Sequence, residues 1–161
     1  MKYAGIIKND VSAGPGVCVT FFVQGCPIHC VGCHNQETWD FDGGKEFTPE
    51  TIIEVIEALN ANGVQRNFCI MGGEPMCPEN QFLTLLILDN VRQKYPNIKV
   101  GIWTGYDWED IEKQSLNTKV KQIIEMTDYM VCGPFKLEER DITLPMRGSR
   151  NQKIIDLSEF K

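Results

Sequence analysis

Cys26, Cys30 and Cys33 fall within Gly25-Cys-Pro-Ile-His-Cys-Val-Gly-Cys-His34, three thiols in eight residues with the spacing C-x3-C-x2-C. Three thiolates can hold three irons of a four-iron, four-sulfur cube and leave the fourth iron without a protein ligand. An iron left open can bind and reduce a small molecule, whereas a fully ligated cluster mainly passes electrons. A structural zinc site is a second reading: His29 or His34 is near enough in sequence to supply a fourth ligand. Such sites more often show two C-x2-C pairs or a Cys/His pair, and this chain has one C-x2-C and no other histidine. Ordinary unpaired thiols are a third. A disulfide framework fits poorly, because the seven cysteines are odd in number and no secretory segment is expected at Met1-Lys2-Tyr3-Ala4-Gly5. The spacing favours the open cube and leaves zinc and plain thiols standing.

A second group of residues lies some forty positions downstream. Phe68 to Met71 is a short apolar run that ends in Gly72-Gly73-Glu74-Pro75, which reads as a buried strand breaking into a tight turn. Two glycines let a ligand come close to the backbone, and Glu74 then offers a carboxylate at the mouth of the strand. Pro75 cannot continue the ladder. Taken alone, the segment reads first as an ordinary strand-to-helix turn.

The elements that must carry these groups alternate. Val17 to Val23 is rich in β-branched and aromatic residues and is predicted to be a strand delivering the cysteine loop. Thr48 is a predicted N-cap, with Pro49 at the first helical position and Ile52, Val55, Ile56 and Leu59 forming a buried stripe that stops near Gly63. Phe68 to Met71 is the next strand. Pro78 opens a second helix, with Phe82, Leu85, Leu86 and Val91 facing inward, that ends before Pro96. Ile98 to Trp103 is a strand, Asp107 caps a short helix, Lys119 to Met126 is helical, Tyr129 to Cys132 is a strand and Lys153 to Leu157 is a late strand. Strand–helix alternation predicts an α/β fold, a mostly parallel sheet with outer helices. An eight-fold barrel needs about 250 residues, so the 161 residues present, read as one domain spanning 1–161, can build only an incomplete (β/α) barrel. Both motifs fall at the C-terminal ends of strands, where such sheets place their sites. The missing wall is expected to admit a protein loop rather than a small metabolite.

Composition narrows the class. The chain is 42% hydrophobic and 24% charged, with net charge −6, an ordinary globular balance that speaks against nonspecific binding to nucleic acid. No apolar run approaches the length of a membrane span. Unpaired thiols without an export signal predict a cytoplasmic protein.

Joined, the two motifs resemble those of radical S-adenosylmethionine enzymes. The resemblance implies that Cys26, Cys30 and Cys33 ligate a [4Fe-4S] cluster whose unique iron chelates S-adenosyl-L-methionine. It further implies that Gly72, Gly73 and Glu74 hold the amino group of that cofactor, and that backbone from Gly32 through Cys33 to His34 lies against its adenine side. Many members place an aromatic residue before the third cysteine, where this chain has Gly32. That departure suits one subgroup, the activating proteins of anaerobic ribonucleoside-triphosphate reductase.

The subgroup resemblance runs through most of the chain: Phe21-Phe22-Val23-Gln24-Gly25-Cys26, Gly32-Cys33-His34-Asn35-Gln36-Glu37-Thr38-Trp39, Trp103-Thr104-Gly105-Tyr106, Gly133-Pro134-Phe135 and Arg147-Gly148-Ser149-Arg150-Asn151-Gln152. Cys132 stands where an aspartate is expected before Gly133-Pro134-Phe135. The resemblance implies reductive cleavage of S-adenosylmethionine to a 5′-deoxyadenosyl radical, which generates a glycyl radical on the partner reductase. It also implies a flavodoxin-like electron donor and no acid–base pair or nucleophilic triad. Alternatives are an activase of another glycyl radical enzyme and a non-catalytic metal-binding module. His29 and His34 read as solvent-side groups and Asn35 as a loop former or a ribose contact. Arg147 and Arg150 read as carboxylate contacts or a basic turn, and Cys18, Cys69, Cys77 and Cys132 as small core residues.

Overall fold

In the computed structural model, which describes residues 1–160, the chain begins with β1 (Lys2–Asp10), β2 (Cys18–Val23) and the two-residue β3 (Lys45–Glu46). It continues through α1 (Pro49–Leu59), β4 (Asn67–Gly72), α2 (Pro78–Lys94), β5 (Val100–Thr104), α3 (Trp108–Lys113), α4 (Thr118–Met126), β6 (Tyr129–Cys132) and β7 (Lys153–Asp156). The strands form one open sheet in the order β3-β1-β2-β4-β5-β6-β7.

The α/β class holds, but the expectation of a mostly parallel sheet is corrected. Only β2–β4, β4–β5 and β5–β6 pair in parallel, while β1–β2, β1–β3 and β6–β7 are antiparallel. The cause lies in the connections. α1, α2 and α4 supply the long crossovers that parallel neighbours need. β1 returns into β2 through a seven-residue loop, residues 11–17, and β7 folds back on β6 with no α-helix between them.

The helices cover one face of the sheet. Val19, Phe21 and Val23 of β2, Phe68 and Ile70 of β4, and Val100 and Ile102 of β5 alternate onto that face and meet Val55 and Leu59 of α1, Leu83, Ile87 and Leu88 of α2, and Ile123 of α4. Each such side chain contributes roughly 1.5–3 kcal/mol by leaving water. Tyr3, Phe21 and Phe47 close the β1 side with rings 5.4–6.3 Å apart. The opposite face carries a small cluster of Ala13, Cys18 and Cys69 bordered by Met71 and Trp103, and no helix crosses it.

α1 starts as the sequence predicts, with Pro49 in the first turn and the Thr48 backbone N–H donating to Thr51 Oγ1 at 3.1 Å. α2 departs from expectation. Phe82 is 53% exposed, and the inward face consists of Asn80, Gln81, Leu83, Thr84, Ile87, Leu88 and Val91, with Leu85 and Leu86 partly buried. Three polar residues on the buried face shifted the apparent stripe. β1 and β3 carry no clean alternation and were not expected. Among the described residues no helix is long and apolar enough to cross a membrane.

Candidate functional site

β2 ends in the segment that presents the cysteines. Gly25 has φ 101° and lies so close to the Phe41 ring that a Cβ there would overlap it, which restricts the position to glycine. The loop is anchored at its start, where the Gly25 N–H donates to Thr38 O at 2.6 Å and Cys26 N–H to Trp39 O at 3.1 Å. Gln24, buried beneath it, donates through Nε2 to Asp40 O at 2.7 Å and Glu37 O at 3.2 Å. Gln36–Thr38 forms a 3-10 turn in which the Asn35 backbone carbonyl accepts from the Thr38 hydroxyl at 2.6 Å, while the Asn35 side chain makes no cap hydrogen bond and the residue lines the cavity described below. Within this frame Cys26, Cys30 and Cys33 are half-buried free thiols.

The β4 turn is fastened directly to that loop. Gly73 N–H donates to Val23 O at 2.9 Å, and Glu74 N–H donates to Gly25 O at 2.8 Å. A Cβ on Gly73 would collide with the Gly25 carbonyl, and one on Gly72, φ 105°, would sit 2.9 Å from Phe22. The two motifs therefore touch through backbone, immediately before Cys26.

Glu74 is not at an open mouth. Its side chain is 1% exposed and turns under the turn it belongs to. Oε1 accepts from Thr104 Oγ1 at 2.6 Å and from Met76 N–H at 2.9 Å, and Oε2 accepts from Gly105 N–H at 2.6 Å. None of the ion pairs of the described residues includes it. Burial outweighs these three donors and pushes its pKa up to about 7. The carboxylate thus ties the end of β4 to the end of β5 and has no ion-pair partner among the described residues.

The bare face of the sheet holds a cavity of about 480 Å³, within the size range of small-molecule sites, lined by Cys33 and His34, by Met71 and Trp103, and by Phe135 and Arg147. The C-terminal fragments singled out in the sequence build its far wall. Trp103 Nε1 donates to Met146 O at 2.7 Å, Gln152 Nε2 to Gly133 O at 3.0 Å and Asn151 Nδ2 to Pro134 O at 2.7 Å. Arg147 donates through Nη1 to Gln152 O at 3.0 Å, while its buried Nε has no partner. Arg150 is exposed and does not line the cavity.

His29 and His34 are exposed, His29 stacked on Trp39 at 4.4 Å and His34 tilted against Phe135. Cys18, Cys69, Cys77 and Cys132 are buried. Burial raises the Cys77 thiol to about 12, and its Sγ donates to Glu74 O at 3.2 Å, which makes it a packing group held as the neutral thiol. Thr104, Asn80 and Gln24 carry much of the site's geometry. Gln24 and Thr104 fall within the fragments that carry the resemblance, whereas Asn80 was not singled out, its only signal being a polar residue inside an apolar element.

Among the described residues no three His, Cys, Asp or Glu side chains converge enough to grip one ion. A closed zinc site needs such convergence, whereas a cube takes one thiolate per iron corner and does not. The three half-buried thiols on one glycine-started loop fit the cube. Residues 12–155 match the 4Fe-4S single cluster domain family. An anaerobic ribonucleoside-triphosphate reductase-activating protein of Escherichia coli strain K12 is 32% identical over 155 residues, covering 96% of this chain and 97% of that one. Proteins of the same description from Vibrio cholerae, 33% identical over 96% and 97% of the two chains, and from Enterobacteria phage T4, 32% identical over 96% and 93%, extend the similarity. On that near full-length likeness, the chain belongs to the anaerobic ribonucleoside-triphosphate reductase-activating proteins, built on a 4Fe-4S single cluster domain.

Proposed function

We propose that this protein is a radical S-adenosylmethionine activase that generates a glycyl radical on anaerobic ribonucleoside-triphosphate reductase. The observation that carries the reading is the backbone joint between the two motifs: Glu74 N–H on Gly25 O at 2.8 Å, one residue before the first cysteine. Cys26, Cys30 and Cys33 hold the [4Fe-4S] cluster. Gly72 and Gly73 offer close backbone to the cofactor's amino group, and the uncompensated charge of Glu74 beneath them favours an ammonium there. Cys33 and His34 line the cavity, and this reading assigns them, with Gly32 beside them in the loop, to the adenine side. When bound, the reduced cluster and S-adenosyl-L-methionine supply the 5′-deoxyadenosyl radical that removes hydrogen from a glycine Cα of the reductase. The chain's own residues orient and shield. Met71, Trp103 and Phe135 give the cavity apolar walls that exclude water from a reactive species.

The same reading takes residues 1–161 as one partial-barrel domain, whose bare face is the inner surface of an incomplete (β/α) barrel. It places the protein in the cytoplasm, with a flavodoxin-like donor delivering the electron. The half-exposed cysteine loop and the unpaired thiols support both. The test is anaerobic cluster reconstitution followed by reduction with S-adenosyl-L-methionine present. Equal amounts of 5′-deoxyadenosine and methionine are expected, and with reductase added, a glycine-centred EPR signal. Well-loaded protein that yields neither product refutes the activase, and product without a glycyl signal refutes the choice of partner.

A further inference from the structure

Asn80 sits in the first turn of α2 at 6% exposure, an expensive place for a primary amide unless its hydrogen bonds are made. Its Nδ2 donates to Glu74 O at 3.0 Å and to Gly25 O at 3.1 Å. The neighbouring buried polar residues of α2 do something narrower: Gln81 donates to Met76 O at 2.8 Å and Thr84 to Pro75 O at 2.9 Å, both within the turn that leads into the helix. Of these three, Asn80 alone reaches across to the cysteine loop.

We propose that Asn80 is a positioning residue that holds the cluster loop in register with the Gly72–Glu74 turn. The inference rests on the activase reading, because it concerns the distance between the cluster and its cofactor. The geometry is a three-way joint. Gly25 O accepts from Glu74 N–H at 2.8 Å and from the Asn80 amide, and the same amide caps Glu74 O. Gly25 N–H and Cys26 N–H are fixed from the other side by Thr38 and Trp39. Without the amide, a single backbone hydrogen bond links the turn to the carbonyl that precedes the first cluster cysteine. The three thiolates are untouched, so the cluster still assembles, but the cofactor's two anchoring points drift relative to one another. Small misplacements of this kind are costly when two bound groups must meet.

The experiment compares the parent with Asn80→Ala, with Asn80→Ser, a residue suited to a first helical turn, and with Thr84→Val, which deletes an equally buried hydrogen bond that does not reach Gly25. Iron content is measured after reconstitution. The reduced cluster is then titrated with S-adenosyl-L-methionine and followed by EPR, and amide exchange at Gly73 and Glu74 is measured on metal-free protein. Both Asn80 variants are expected to load iron like the parent and to need at least about tenfold more cofactor for the half-maximal spectral change, the range seen when supporting residues of metal sites are lost. Exchange at Glu74 N–H should accelerate by at least about tenfold in both, and stay within about twofold of the parent in Thr84→Val. Parental titration and parental exchange in the Asn80 variants, or an equal loss in Thr84→Val, overturn the proposal. A parent whose EPR does not respond to the cofactor refutes the activase reading instead. In that case, or where a variant loads too little iron, exchange on the metal-free chain still decides the positioning role.

Discussion

Glu74 combines full burial and three donors with no ion-pair partner among the described residues, and its protonation therefore couples to folding in a direction opposite to most carboxylates. Its folded pKa is about 7 against an ordinary 4.5. Between those values the native state binds more protons than the unfolded chain, so stability is greatest below 4.5 and falls as pH rises through 7. In urea unfolding of the metal-free protein, the parent is expected to lose on the order of 3 kcal/mol between pH 5 and pH 8 relative to Glu74→Gln. Equal slopes in the two proteins would remove the case for a buried charge. A ligand ammonium beside Glu74 would flatten this slope, since it favours the ionised form. By contrast Asp10, at the end of β1, accepts from Thr20 Oγ1 at 2.7 Å and from Ser12 and is held below its ordinary range despite its burial.

At the scale of elements, α2 supports both the site and the core from its buried face, and the two demands are interleaved along its sequence. Leu83→Ala is expected to cost about 2–5 kcal/mol as a cavity in the core, and Phe82→Ala less than about 1 kcal/mol, read by denaturant midpoints. The reverse order would restore the helix face anticipated from the apolar residues. The sequence misled there because Asn80, Gln81 and Thr84 are buried to hold the preceding turn, a purpose that hydrophobic periodicity cannot register. α1 was legible because its start is marked by Thr48 and Pro49 and its stripe is mostly apolar: Val55 and Leu59 are buried as expected, Ile52 and Ile56 are partly buried, and Thr51 and Ala58 complete the inner face. The cysteine loop and the Gly72–Glu74 turn were legible because ligand chemistry and tight backbone approach each admit few residue types. β1 was not, since its place is fixed by pairing with β2 rather than by any pattern of its own. The wall formed by Phe135 and Met146–Gln152 appeared only as scattered fragments, because loops carry no period and their contacts are long-range.

Across the whole molecule, stability and chemistry are assigned to opposite ends of the strands. Arg92, in the last turn of α2, donates to Met126 O at 2.9 Å, Ile98 O at 2.8 Å, Pro96 O at 3.1 Å and Asp128 Oδ2 at 2.8 Å. Asp128 Oδ2 also accepts from Val100 N–H at 2.8 Å, at the start of β5. This knot lies at the N-terminal edge of the central strands, away from the cysteines. Arg92→Ala is expected to lower unfolding free energy by about 3 kcal/mol, the scale for breaking a part-buried pair, with iron content after reconstitution unchanged. Loss of iron in a still-folded variant would show the two ends to be coupled. The borders of the sheet bear on how another macromolecule can approach. One border is the two-residue β3, and the other is the short β7, framed by Lys153 and Asp156. β3 pairs only with Lys2 and Tyr3 of the nine-residue β1, so the rest of that edge is unpaired ladder, whereas the β7 border is four residues long. A visiting polypeptide therefore has two routes, strand addition along that β1 rim or a broadside seat on the uncovered surface, and substitutions that alter partner choice in one place and not the other tell the routes apart.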